Sequence, residues 1–253
     1  NYFIYLIIKF LFHIMKIYYS SLFILFAINI ALSQTSFNYG VVNFDVVKKI
    51  NVGDQNVSKV FRGSNVSSLK GIVGSPYRND YFQSGIIYRK KDSVKTYLRY
   101  NGLNDEIEIS LTKDATSSTN ALIKSNSISC KIKNDFFVYK EFIDENKSKN
   151  KGYLIKAYSG KKYNLYVRDK KVFRDGEKAK NSLENDKPPK FLDKQTIFIQ
   201  YMSDLPKPIQ LKYKKISESI AIEDKSKFAK LKNSYKKINS LDRLISLISM
   251  IDK

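Results

Sequence analysis

In segment after segment between Val94 and Met202, apolar side chains alternate with polar ones, and after Lys214 they recur at every third or fourth position. A period of two puts one set of side chains on one face of a strand; a period of three and four puts them on one side of a helix. Val94, Thr96, Leu98 and Tyr100 share a face, opposite Lys95, Tyr97 and Arg99. Ile107, Ile109 and Leu111 do the same, with Glu106, Glu108 and Ser110 expected on the solvent side. Asn101-Gly102 between them suits a turn with positive φ, within a loop ending near Asp105. Ile128, Cys130 and Ile132 share another face, which makes Cys130 a small core side chain. Further strands fit 136–142, 153–158, 163–168 and 195–202, with Ser159-Gly160 as a hairpin turn.

This pattern predicts a mainly β fold, an antiparallel sandwich or a curled barrel-like sheet, with a short α-helical C-terminal segment. Residues 71–213 form the β-rich domain, interrupted by a charged surface loop near 174–190 that ends in Pro188-Pro189. Residues 214–253 read as two or three short basic amphipathic helices. Phe228, Leu231, Tyr235 and Ile238 mark one apolar stripe, and Leu241, Leu244, Ile245, Ile248 and Ile251 another. Ser240 suits an N-cap, with Asp242 in the first turn. Lysines 225, 227, 230, 232, 236 and 237 lie between the apolar positions. The preferred reading is a cap packed on the sheet with a solvated lysine face; the alternative is a helix that binds a membrane surface or a partner.

The N-terminal part reads differently. The first methionine is Met15, and residues 15–33 have the order of a cleavable signal peptide. Lys16 is the basic region, Leu22 to Ile30 the apolar region, and Ala31 and Ser33 the small residues before a cut at Gln34. Residues 1–14 then read as upstream sequence. A spanning helix needs about 20 apolar residues, which 17–32 do not reach, with Lys9, His13 and Lys16 interrupting any longer run. Lipid attachment at a cleavage-site cysteine is excluded, since the chain's one cysteine is Cys130. Residues 34–70 form a polar leader with at most one element, near Val41 to Val47.

Loss of residues 1–33 removes the one histidine, along with Lys9 and Lys16 and no acid, so 43 basic residues face 24 acidic ones, a net +19. Without histidine there is no Ser-His-Asp or Cys-His nucleophile and no histidine metal site, and one cysteine builds neither a thiolate site nor an internal disulfide. No catalytic, cofactor-binding or metal-binding residue is therefore assigned. Carboxylate, lysine or tyrosine catalysis stays open. The positive charge reads first as the Lys, Asn and Ile bias of an AT-rich genome, and second as attraction to an anionic envelope surface or polymer. Sequence-specific nucleic-acid recognition is not expected.

Few motifs carry chemistry. Ser67-Ser68-Leu69-Lys70 and Ser148-Lys149-Asn150-Lys151 match Ser-x-x-Lys without companion motifs. Ser159-Gly160-Lys161-Lys162 lacks the frame of a phosphate loop. Asp105, Glu106 and Glu108 offer oxygen ligands suited to calcium, but the strand's solvent face is the preferred place for the glutamates. Aromatic and basic residues interleave over 81–100 and 153–173, a pattern that serves a polyanion or sugar site or an ordinary two-faced sheet. Asn56 and Asn65 begin glycosylation sequons.

Gly74-Ser75-Pro76-Tyr77, then Phe82 and Gly85, then Leu98-Arg99-Tyr100-Asn101 and Asp105-Glu106-Ile107-Glu108 resemble a group of uncharacterised exported proteins of flavobacteria and their relatives. Pro188-Pro189-Lys190 and the basic tail fit the same pattern, while Leu103-Asn104 departs from the aromatic-containing turn of that group. The resemblance implies export and a β-rich fold with a helical end, and it transfers no site. The functional expectation is an exported cell-envelope protein, periplasmic, outer-envelope or secreted, that acts as a non-enzymatic binding or structural module. The alternatives are a carboxylate-dependent hydrolase of an envelope polymer and an anionic-surface binder using the C-terminal helices. Intact mass of protein from the native host should place the mature N-terminus at Gln34; a retained Met15, in a chain that resists alkaline extraction from membranes, would show an anchor instead.

Overall fold

Hydrogen-bonded strands run antiparallel from one end of the described chain to the start of its helices. The computed structural model describes residues 47–49, as backbone, and 71–90, 92–116, 118, 120–181 and 183–253. The expected signal peptide, both sequons and the first Ser-x-x-Lys match lie outside them. The strands are β1 (Val47–Lys49), β2 (Gln83–Arg89), β3 (Asp92–Asn101), β4 (Glu106–Ser110), β5 (Asn120–Leu122) and β6 (Ile128–Ile132). They continue with β7 (Asp135–Ile143), β8 (Lys149–Ser159), β9 (Tyr163–Arg174), β10 (Lys190–Tyr201) and β11 (Lys207–Ile209). All belong to one 11-stranded sheet in the order β1-β5-β4-β3-β2-β6-β7-β8-β9-β10-β11. The sheet curls into a half-barrel, so the curled-sheet alternative holds and the sandwich does not.

The helices follow as α1 (Tyr213–Ser219), a 3-10 turn (Ile222–Asp224), α2 (Lys225–Lys230) and α3 (Leu241–Ile251). The main core joins them to one face of the sheet: Leu98, Ile107, Phe137 and Leu165 pack in the same cluster as Ile216, Phe228, Leu244 and Ile248. Ser240 caps α3 by accepting from the Arg243 amide at 3.3 Å, and Asp242 sits in its first turn. The stripe through Phe228, Tyr235 and Ile238 is buried, but the helix stops at Lys230 and turns carry the rest.

The C-terminal segment is also pinned by charge. Asp252, 5 % exposed, accepts from the backbone amides of Lys161 at 2.7 Å, Lys162 at 2.7 Å and Tyr163 at 3.3 Å, and from the Tyr158 hydroxyl at 3.1 Å. A Cβ at position 160 would collide with that carboxylate, which is why glycine stands there. The Ser159–Lys162 turn is thus an anion nest, filled by the chain's own aspartate. Beside it Asp224 holds Lys162 at 2.9 Å and the Tyr163 hydroxyl at 3.0 Å. Burial pushes the Asp224 pKa up, but these two partners outweigh it and the net shift is downward.

Cys130 lies where the alternation put it. It pairs with Ile87 on one side and Phe137 on the other and is fully buried. Burial alone pushes its thiol pKa up, so little thiolate forms near neutrality. A thiol reagent should label the native protein slowly and the denatured protein readily. Cys130→Ser should cost about 1–3 kcal/mol in denaturant unfolding, as for an unsatisfied polar group in a core. Rapid native-state labelling would contradict this register.

Candidate functional site

Besides the Asp252 and Asp224 contacts, two clusters of buried charge and a cleft between hairpins stand out on the sheet. The first cluster corrects the expectation for Glu106 and Glu108, which do not face solvent: β4 is buried along its length. Arg99 and Glu108 face each other across the β3–β4 pair and are 3 % and 4 % exposed. The guanidinium donates to Glu108 Oε2 from Nε at 3.2 Å and from Nη2 at 2.7 Å, and to the Asp80 carbonyl at 2.8 Å. It lies 3.6 Å from the Tyr77 ring centroid and 4.3 Å from that of Phe82. Asn101 Nδ2 donates to the remaining Glu108 oxygen at 3.1 Å.

The cover over this face comes from residues 75–82. Arg78 N donates to the Tyr100 carbonyl at 3.1 Å, and Gly102 N to the Pro76 carbonyl at 2.9 Å. Burial, and then the Glu108 charge, push the Tyr77 hydroxyl up to about 12. Tyr77, Phe82, Arg99, Asn101 and Glu108 therefore serve one buried ion pair. Loss of either charge would strand the other, at a cost of about 3–5 kcal/mol.

The second cluster fills a split in the sheet. β8 and β9 pair only between Ile155/Val167 and Ser159/Asn164. Beyond that, residues 149–154 pair with β7 alone and residues 168–174 with β10 alone. The β3–β4 turn wedges into the gap. The Lys171 amide donates to the Gly102 carbonyl at 3.1 Å. Asp105 accepts from the Tyr153 amide at 3.3 Å, the Tyr100 hydroxyl at 2.7 Å and Arg168 Nη2 at 3.2 Å. Its φ is +54°, so the left-handed residue of the turn is Asp105, while Gly102 keeps a negative-side conformation. A Cβ on Gly152 would strike the Asp105 carboxylate and come within 3.0 Å of Arg168.

The acidic triplet is accordingly dispersed. Asp105 faces β8 and β9, Glu108 is bound to Arg99, and Glu106 lies 3.9 Å from Lys124. No group of three His, Cys, Asp or Glu among the described residues could hold a metal ion, and the calcium alternative has no geometric support.

The separated hairpins leave a cleft of about 290 Å³. The β7–β8 tip contributes Asp144 and Glu145, and the β9–β10 arm contributes Arg168, Lys170 and Lys194. Glu145 bridges the two, accepting from Lys194 at 2.6 Å and from the Thr196 hydroxyl at 3.2 Å. Asp144 is spent on its own turn, accepting from the amides of Asn146 and Ser148 at 2.9 and 2.8 Å and from Asn150 Nδ2 at 2.7 Å. Lysine 194 holds Glu145 below the usual carboxylate range, the opposite of what a general acid needs. Burial and then Arg168 lower the pKa of Lys170. Phe142 and Phe198 form the floor, their ring centroids 5.1 Å apart, and both are buried.

Three of the interleaved aromatics face inward, while Tyr81 is exposed. Tyr153, Tyr163 and Tyr166 are 2 %, 0 % and 3 % exposed and serve the core. Ser148 lies in the β7–β8 turn and Lys151 pairs with Glu141 at 3.0 Å, so that Ser-x-x-Lys match assembles no nucleophile. The sequence reading passed over Asp105 as a clasp, Arg168, Lys170 and Glu145, because each acts on a strand distant in the chain. No protein-family model matches this chain, and neither does any curated protein or solved structure. Among the described residues no helix is long and apolar enough to cross a membrane.

Proposed function

We propose that this chain is an exported binding or structural module of the cell envelope that works without catalysis and engages an anionic partner through charge. The observation that carries the reading is the distribution of charge between interior and surface. Asp105, Glu108, Asp224 and Asp252 are buried and spent on internal donors. Lysines 225, 227, 230, 232, 236 and 237 of the C-terminal cap are all exposed. Asp252 is neutralised largely by backbone amides, so the surface loses an acid without losing a cation.

Most of the apolar side of the cap is already covered, with Ile222 and Met250 left exposed. Phe228, Tyr235, Leu244 and Ile248 are buried in the core, so attachment to a surface would rest on lysines without insertion of the helices. Such binding is screened over roughly 8–10 Å at ordinary ionic strength and falls steeply with salt. The processed chain should sediment with vesicles containing acidic phospholipid at low salt, release as salt rises, and ignore zwitterionic vesicles. Replacement of Lys225, Lys230, Lys236 and Lys237 by Gln should weaken the binding several-fold. Equal binding to both vesicle types, or none to acidic vesicles at low salt, would overturn the reading for the cap.

A further inference from the structure

We propose that the cleft between the β7–β8 and β9–β10 hairpins is an oxyanion site, which takes a phosphate, sulfate or carboxylate group between Arg168, Lys170 and Lys194, with Glu145 as its internal competitor. The inference rests on the reading of the protein as a binder of anionic partners and gives that reading a specific pocket, separate from the cap lysines.

The cationic wall is under-neutralised. Arg168 has one carboxylate partner, Asp105, at 3.2 Å, and Asp105 is shared with Tyr100 and with the Tyr153 amide. Arg168 Nε is buried without a hydrogen-bond partner, a state that costs free energy until an acceptor or water arrives. Lys170 lines the same hollow, and its side chain makes no ion pair or hydrogen bond among the described residues. Its ammonium form is disfavoured by burial and by the Arg168 charge. An anion entering here would be attracted by both charges at once.

Glu145 shows what chemistry the wall accepts. Its carboxylate is held by one ammonium and one hydroxyl, Lys194 and Thr196, a donor set suited to any small oxyanion. The pair is half exposed, 52 % for Lys194 and 53 % for Glu145, and an exposed pair contributes little. Glu145 sits in the hairpin turn, so it can leave while the strands stay in place. Asp144, the other acid at the cleft, has its oxygens on the Asn146 and Ser148 amides and on Asn150, which limits its repulsion of an incoming anion. The floor of Phe142 and Phe198 is apolar and buried, and Arg168 lies 4.8 Å from the Phe142 centroid. This low-dielectric backing strengthens the attraction.

The test is an amide-resolved NMR titration of the processed chain with inorganic phosphate, with inorganic sulfate and, separately, with polyphosphate. Saturable shifts are expected at Glu145, Lys170 and Lys194. Lys170→Gln should weaken binding at least five-fold, and Lys194→Gln provides a second, more exposed substitution if the first perturbs folding. Glu145→Gln should tighten binding several-fold, because it removes the competitor, whereas a merely structural bridge would give weaker binding. Response to phosphate and sulfate as well as polyphosphate assigns the site to a free oxyanion. Response to polyphosphate alone, at these residues, assigns it to a polymer-borne group. The Gln variant of the cap lysines should leave these shifts unchanged, so failure of vesicle binding and failure of the cleft are separately visible. Absence of saturable shifts at the cleft, or a Glu145→Gln variant that binds no better, overturns the proposal.

Discussion

One carboxylate, that of Asp105, supplies the acceptor for a buried strand amide, that of Tyr153, where an eleven-stranded sheet comes apart between β8 and β9. Backbone donors at an interior strand edge must find acceptors, or each costs about as much as a lost hydrogen bond. Where β8 and β9 separate, the Tyr153 amide turns to Asp105 and the Lys171 amide to the Gly102 carbonyl. The same carboxylate fixes Arg168. The wedge, the absent side chain at Gly152 and the cleft beyond it are therefore parts of one arrangement. The fold accepts a left-handed φ at Asp105, a conformation that aspartate tolerates better than most residues.

Much of the sheet was legible from period-two patterning because alternation reports local geometry. Cys130 with Ile128 and Ile132, the hairpin at Ser159-Gly160 and the Ser240 cap all follow from residues close in sequence. Glu106 and Glu108 were misplaced for a physical reason. Alternation assigns a residue to one face or the other, but it does not say whether that face is covered. The cover over Glu108 comes from residues 75–82, and the match that makes it tolerable, Arg99, lies on the neighbouring strand. Asn101-Gly102 drew attention as the turn because glycine signals positive φ. The left-handed position fell three residues later, where a tertiary contact rather than propensity decides.

The distribution of charge links these structural details to the functional reading. Buried acids at the wedge, beside Arg99 and in the Ser159–Lys162 nest are each committed to internal donors. Lysines of the cap stay in water. Composition alone describes a basic chain; the structure shows that part of its acidity is taken out of the surface. It also shows that a turn rich in backbone amides, set aside as a phosphate loop, does bind an anion, namely the carboxylate of Asp252. Charge therefore works in two ways here, as internal clasp at Asp105 and Asp252 and as an outward field at the cap and cleft.

The claim that Asp105 closes the split is tested most directly by amide hydrogen exchange in the native protein and in Asp105→Gly, which removes the carboxylate while accommodating the positive φ. In the native protein the Tyr153 and Lys171 amides should be protected. In Asp105→Gly the Tyr153 amide should lose protection by at least ten-fold relative to Ile155 and Val167, which remain paired within the intact part of the sheet. Unchanged protection at Tyr153, or a loss spread evenly across β8 and β9, would contradict the wedge as the element that closes the sheet.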